Sequence, residues 1–62
     1  MDAIDREILS LLQDDGRATM TQVAASVGLS LSACHRRFRD LETSGVIQGF
    51  RAELDFEKLG KP

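Results

Sequence analysis

Sixty-two residues suffice for one small domain. At this size folding buries only about 60% of the unfolded chain's surface, so marginal stability is expected. An apolar share of 42% is ordinary for a globular protein, and three phenylalanines supply all of the aromatic bulk. No apolar run approaches the roughly 20 residues needed to span a bilayer, and there is no signal-peptide pattern. The single Cys34 excludes an internal disulfide, and four metal ligands are not at hand. A reducing, cytoplasmic setting follows as the expectation.

Asp2 is placed to cap a first helix, with Asp5 three residues on as a short-armed capping box. Ile4, Ile8, Leu11 and Leu12 recur at helical spacing, and Leu9 widens the stripe. Asp5 falls inside this apolar arc, where capping is the role expected and pairing with an arginine from another helix is the alternative. Gly16 follows Asp14 and Asp15 and predicts the stop, because glycine tolerates the left-handed geometry of a C-terminal cap. Thr19 with Gln22 then reads as a capping box for a second helix, along which Met20, Val23, Ala24 and Val27 share one side. At about eight residues this helix would not persist alone in water.

Gly28, Leu29 and Ser30 make the next break. Gly28 can take positive φ, Leu29 can plug the core beneath the turn, and Ser30 can cap the next helix. This third helix is predicted from Leu31 to about Ser44, ended by Gly45. At about 100° per residue, Leu31, Cys34, Phe38 and Leu41 fall within an arc of about 80°. Ser32 and Arg36 project from the opposite side with Arg39 and Ala33 beside them, while Arg37 and His35 border the buried stripe. From Val46 the period becomes two: Val46, Phe50, Ala52, Leu54 and Phe56 alternate with Gly49, Arg51, Glu53 and Asp55. Ile47 anchors the helix-to-strand junction. No hairpin turn succeeds it, so a strand over 46–55 would need a second chain to satisfy its open hydrogen-bonding groups. Residues Asp55 to Leu59 could form one closing helical turn.

Charge is unevenly spread along these elements. Residues 1–15 carry five acids against Arg6, and residues 40–62 carry five acids against three bases. Between them, residues 16–39 hold Arg17, Arg36, Arg37 and Arg39 and no acid, so the net charge of −2 conceals a basic middle third. Local charge of this kind is what steers a protein to phosphate.

A helix, a tight glycine-centred turn and a second helix form the helix-turn-helix unit, whose second helix enters the DNA major groove. Ala24 is small where the helices must approach, Gly28 makes the turn, and Leu29 and Leu31 are expected to fill the angle. The expected fold is mainly α: a winged-helix-like three-helix bundle with a helix-turn-helix at about 20–39, then one C-terminal β-strand.

The stretches Ile4-Asp5-Arg6-Glu7-Ile8-Leu9, Asp15-Gly16-Arg17, Val27-Gly28-Leu29-Ser30 and Cys34-His35-Arg36-Arg37 resemble the Lrp/AsnC (leucine-responsive regulator) family. Leu41-Glu42-Thr43-Ser44-Gly45-Val46-Ile47-Gln48-Gly49-Phe50 continues the match in register, so that the resemblance covers about residues 2–60. It implies a sequence-specific, double-stranded-DNA-binding domain over 1–62, from a cytoplasmic, nucleoid-associated regulator of bacteria or archaea. The family joins such a domain, through the strand or hinge at about 46–55, to a separate domain. That second domain binds an amino acid or similar small effector and drives dimerisation. It is absent from this chain, so no cofactor is expected here, and excision from a longer homo-oligomeric protein is the expectation. The family often places proline just after the position of Ser30 or near Ala33. Here Leu31 and Ala33 stand instead, leaving the helix start less rigid.

Within the motif, Ser32, Ala33 and Arg36 occupy the early exposed turns that reach base edges. Arg36 could donate two hydrogen bonds to guanine and Ala33 could meet a thymine methyl, while His35 would tune base preference. Ser30 lies at the start of the same helix. Arg37 and Arg39 flank the groove-facing side, where phosphate contact is expected. Arg17, Thr19, Thr21 and Gln22 surround the start of the second helix, whose free N–H groups and dipole favour a phosphate. Thr19 and Gln22 can cap and touch DNA at once. Cys34 beside His35 suggests a metal or a nucleophile, but Cys34 falls in the buried arc. Neither further ligands nor a base-plus-carboxylate set completes either site. The competing reading is a protein-interaction module that keeps the fold without DNA, drawing on the overall acidity and on Phe50, Leu54 and Phe56 of the open strand. No catalytic constellation supports an enzyme.

Overall fold

Helix α1 spans Ala3–Asp14, and its start is set by Asp2, whose side chain accepts the Asp5 N–H at 2.9 Å. The computed structural model describes residues 1–60; Lys61 and Pro62, the end of the expected domain, lie outside the described residues. Asp15, not Gly16, is the C-cap of α1, with extended backbone and its N–H on the Leu11 carbonyl. Gly16 therefore takes no left-handed cap, correcting the expected stop. It lies beneath the Phe50 ring, close enough that a methyl group there would touch Cδ2 at 3.4 Å, an ordinary van der Waals contact.

Helix α2, Met20–Val27, carries the full capping box. The Thr19 hydroxyl accepts the Gln22 N–H at 3.1 Å and the Gln22 side-chain Oε1 accepts the Thr19 N–H at 2.9 Å. It closes on Gly28 at φ +74°, and the Leu29 N–H reaches back to the Ala24 carbonyl at 2.9 Å. The Gly28 N–H bonds the same carbonyl, so the six-residue return from Leu29 is a second donor to it, and the left-handed Gly28 swings the chain sharply into the next helix. Helix α3, Leu31–Thr43, comes next with Ser30 as its cap, accepting the Ala33 N–H at 3.2 Å. Gly45, at φ +86°, ends the run, and the Ile47 N–H returns to the Leu41 carbonyl.

Each helix packs on the other two around Ile8 and Leu12 of α1, Val23 and Ala24 of α2, and Cys34 and Leu41 of α3. Ile4, Leu9, Leu11, Ala18, Met20, Val27, Leu29, Phe38 and Ile47 rim this core. Leu31 is 46% exposed and does not fill the angle between the helices, contrary to expectation. It is the first residue of α3, and Leu29 is the leucine that turns in beneath the turn. Beyond Ile47 the chain is exposed, and no strand forms among the described residues. The alternation over 46–55 is present, but a strand exists only as part of a ladder and no described segment pairs with it. Residues 55–60 close a turn, with the Leu59 N–H on the Asp55 carbonyl at 3.2 Å.

One ion-pair cluster ties α3 to the start of α1. Arg37 Nη1 donates to both carboxylate oxygens of Asp2, at 2.9 and 2.8 Å, and to Asp5 Oδ1 at 3.2 Å. Of the two roles open to Asp5, the pairing is the one taken. The Arg37 hydrogen bonds, joined by the Asp5 N–H, hold the Asp2 carboxyl below its ordinary value of 3.8.

The core and the cluster give two predictions. Ile8 is fully buried, so Ile8→Val should cost about 1 kcal/mol and Ile8→Ala about 2–5 kcal/mol. The larger loss is comparable to the ~3–5 kcal/mol available to a domain this small, so Ile8→Ala should be largely unfolded by circular dichroism. A lowered Asp2 pKa means that the folded chain binds fewer protons than the unfolded one. The pair therefore stabilises the fold above the ordinary value of 3.8, and that contribution disappears as acid titrates through the lowered value. Asp2→Asn keeps a competent cap but removes the charge. Its urea midpoint should lie below that of the unsubstituted chain near neutral pH and converge with it in strong acid.

Candidate nucleic-acid interface

The α2–turn–α3 unit fixes the candidate surface. Because Cys34, Phe38 and Leu41 turn one side of α3 toward the bundle, the opposite side is left to solvent. Ser32, Arg36 and Arg39 lie on that side and are exposed. Each is three or four residues from the next, so together they make one stripe up the helix. His35 is also exposed and lies to its side. Ser30 sits at the foot of the stripe, its hydroxyl 3.4 Å from that of Ser32. Ala33 is half-buried, further from the open face than the sequence pattern suggests.

Four more residues gather at the start of α2. Arg17 is exposed in the α1–α2 turn, its backbone N–H held by Asp15 Oδ1 at 3.0 Å, so the turn that presents it is anchored. Thr19, Thr21 and Gln22 are exposed within the cap and first turn of α2. Gln22 must point its amide oxygen at the Thr19 N–H, which turns its Nε2 donor away from the helix. Helices α2 and α3 thus both begin with polar caps, where unpaired backbone N–H groups favour an anion.

Arg37 stands apart from the stripe. Its side chain is only 30% exposed, and its Nη1 is committed to Asp2 and Asp5. Charge counting does not separate it from Arg36 and Arg39. The sequence signal for its partners is the three-residue spacing of Asp2 and Asp5, which sets both carboxylates on one face of α1. The residue pattern marks Asp2 as a cap and leaves its second role, as the partner of Arg37, unseen.

Cys34 is fully buried, and burial pushes its thiol up, which disfavours the reactive thiolate. Among the described residues, no group of three or more histidine, cysteine or acidic side chains is placed to hold a metal ion, and no helix is long and apolar enough to cross a membrane.

Residues 1–48 match the model of the winged helix-turn-helix DNA-binding family. A leucine-responsive regulatory protein of Rhizobium meliloti is 53% identical over 60 residues, covering 97% of this chain and 38% of that protein. An AsnC family transcriptional regulator from Agrobacterium tumefaciens superposes with a TM-score of 0.89 at 42% identity, over 95% of this chain and 39% of its own. A transcriptional regulator from Neisseria meningitidis, solved as a complex with L-methionine, gives a TM-score of 0.90 at 37% identity, over 95% of this chain and 38% of that one. The chain thus spans about two-fifths of the length of the proteins it resembles. That family consists of regulators and not of enzymes. By the match over residues 1–48 and by these identities and superpositions, this chain belongs to the winged helix-turn-helix DNA-binding family, among the Lrp/AsnC transcription regulators.

Proposed function

We propose that this chain reads double-stranded DNA as one arm of a dimeric transcription regulator, with α3 in the major groove. The observation that carries the reading is the exposed Ser32–Arg36–Arg39 stripe on the second helix of the motif, opposite its buried face. A major groove about 12 Å wide accepts a helix, and the early turns of that helix meet the base edges. In this reading Arg36 pairs with guanine, Ser32, Ala33 and His35 modulate base choice, and Arg39 grips phosphate. Arg17, Thr19, Thr21, Gln22 and Ser30 hold the backbone at the two helix starts, where a phosphate is favoured. Arg37 acts from behind, by fixing α3 to α1, because Asp2 and Asp5 already neutralise it.

Within a dimer, residues 46–55 become a strand by pairing with a second copy, for which the exposed Val46, Phe50 and Leu54 supply apolar contact. Dimerisation matters because one arm binds weakly; non-specific contacts give Kd on the order of 10⁻⁴–10⁻⁶ M at physiological salt. Linking two arms raises the effective concentration of the second and adds orders of magnitude. An amino acid or similar effector would bind outside this chain, and the setting would be the cytoplasm. The competing module that keeps the fold without DNA draws on the same exposed apolar segment.

The test is a salt titration of duplex affinity for two chains joined by a flexible linker, using a duplex recovered from a random pool. Arg36→Ala should weaken binding about five- to 150-fold, by about 1–3 kcal/mol, and relax the preference for one base. Arg39→Ala should lower the slope of log K against log salt by about one for each arm. Arg37→Ala should leave that slope unchanged. Equal affinity of all three variants would refute α3 as the reading helix, and no salt-dependent duplex binding by the unsubstituted pair would instead favour the protein-interaction module.

A further inference from the structure

Phe50 lies outside the three helices, yet its ring reaches two of the pieces that carry the DNA-facing groups. It stacks on Phe38 with ring centroids 6.2 Å apart and an interplanar angle of 25°. Phe38 is on α3, at the rear of the helix whose front carries Ser32, Arg36 and Arg39. The same ring lies over Gly16, within van der Waals reach: a methyl group there would touch Cδ2 at 3.4 Å. Gly16 immediately precedes Arg17 in the turn that presents the start of α2. The α1–α2 turn and the back of α3 therefore meet on one side chain.

The backbone around Phe50 gives that ring added weight. The Ile47 N–H bonds to the Leu41 carbonyl, and the next backbone bond among the described residues is that of Leu59 to Asp55. Between these points the segment is exposed, and Phe50 is its aromatic attachment to the bundle. An offset aromatic stack has a preferred distance and tilt, so the ring constrains α3 as well as covering it.

We propose that Phe50 is a positioning residue for DNA recognition, setting the stance of α3 against the α1–α2 turn from the side away from DNA. This inference rests on the reading of α3 as the groove helix, and it makes α3 responsive to whatever engages residues 46–55. A partner strand that draws the segment away from the bundle would withdraw the ring from Phe38 and Gly16. Side chains that touch neither ligand but lie between two sites commonly shift coupling by roughly two- to thirtyfold.

The experiment compares Phe50→Ala, Phe50→Leu and Phe50→Tyr with the unsubstituted 62-residue chain. Phe50 is 50% exposed, so all three should stay folded by circular dichroism, and Phe50→Leu keeps apolar bulk without the stack. Residual dipolar couplings without DNA should show α3 reoriented relative to α1 in Phe50→Ala and Phe50→Leu, and unmoved in Phe50→Tyr. In linked pairs, the first two should bind the selected duplex roughly two- to thirtyfold more weakly. Their affinity for random duplex and their salt slope should hold, since no phosphate contact is removed. A ring that merely stabilises the fold would change selected and random binding together. An unmoved α3 in Phe50→Ala, or equal losses on both duplexes, overturns the proposal. If the unsubstituted pair prefers no duplex at all, the functional reading falls, and the dipolar couplings alone decide whether Phe50 sets α3.

Discussion

Helix α2 has only eight residues, too few to persist in water, so its existence depends on packing. Val23 and Ala24 supply that packing by burying themselves against the faces of α1 and α3. Every functional feature depends on this contact. It holds the Thr19 cap at one end of α2 and the Gly28 turn at the other, and the turn sets the direction in which α3 departs. With six buried side chains in the core, little redundancy is available. The capping box, the Ser30 cap and the return from Leu29 to Ala24 are correspondingly complete. In a domain this small, local hydrogen bonds at helix ends form a larger share of what separates folded from unfolded.

The second organising feature is how the charges are used. An acidic chain can approach DNA when its acids and bases occupy different parts of the fold. The acids at the start of α1 have a definite role, since Asp2 and Asp5 take up Arg37 and leave Arg36 and Arg39 on the open side of α3. One arginine thereby becomes part of the scaffold that orients the others.

Much of this was legible in the residues. Apolar spacing located the three helices to within about two residues, because an amphipathic helix must put its apolar side chains on one face to bury them. The caps at Asp2, Thr19 and Ser30 were legible because the short oxygen-bearing side chains there have few other uses. Four features were not. Leu31 fits the buried arc by angle, but an arc does not tell how far along the helix the core extends. Gly16 resembles a left-handed cap because that is glycine's commonest use at a helix end, whereas here it keeps an ordinary φ and lies beneath Phe50, a residue distant in sequence. Arg37 looks like its neighbours because charge counting does not distinguish a paired guanidinium from an unpaired one. The alternation over 46–55 is a real pattern, but a strand requires a partner, and none lies among the described residues.

The most direct measurement is the pattern of intermolecular nuclear Overhauser effects between the isotopically labelled chain and an unlabelled duplex. Thymine methyl and cytosine H5 protons line the major groove, and adenine H2 lies in the minor groove. With α3 in the major groove, Ser32, Ala33, His35 and Arg36 should give contacts to thymine methyl and cytosine H5 protons, with α1 silent. Contacts from those side chains to adenine H2, or from α1 to any base proton, would contradict that placement.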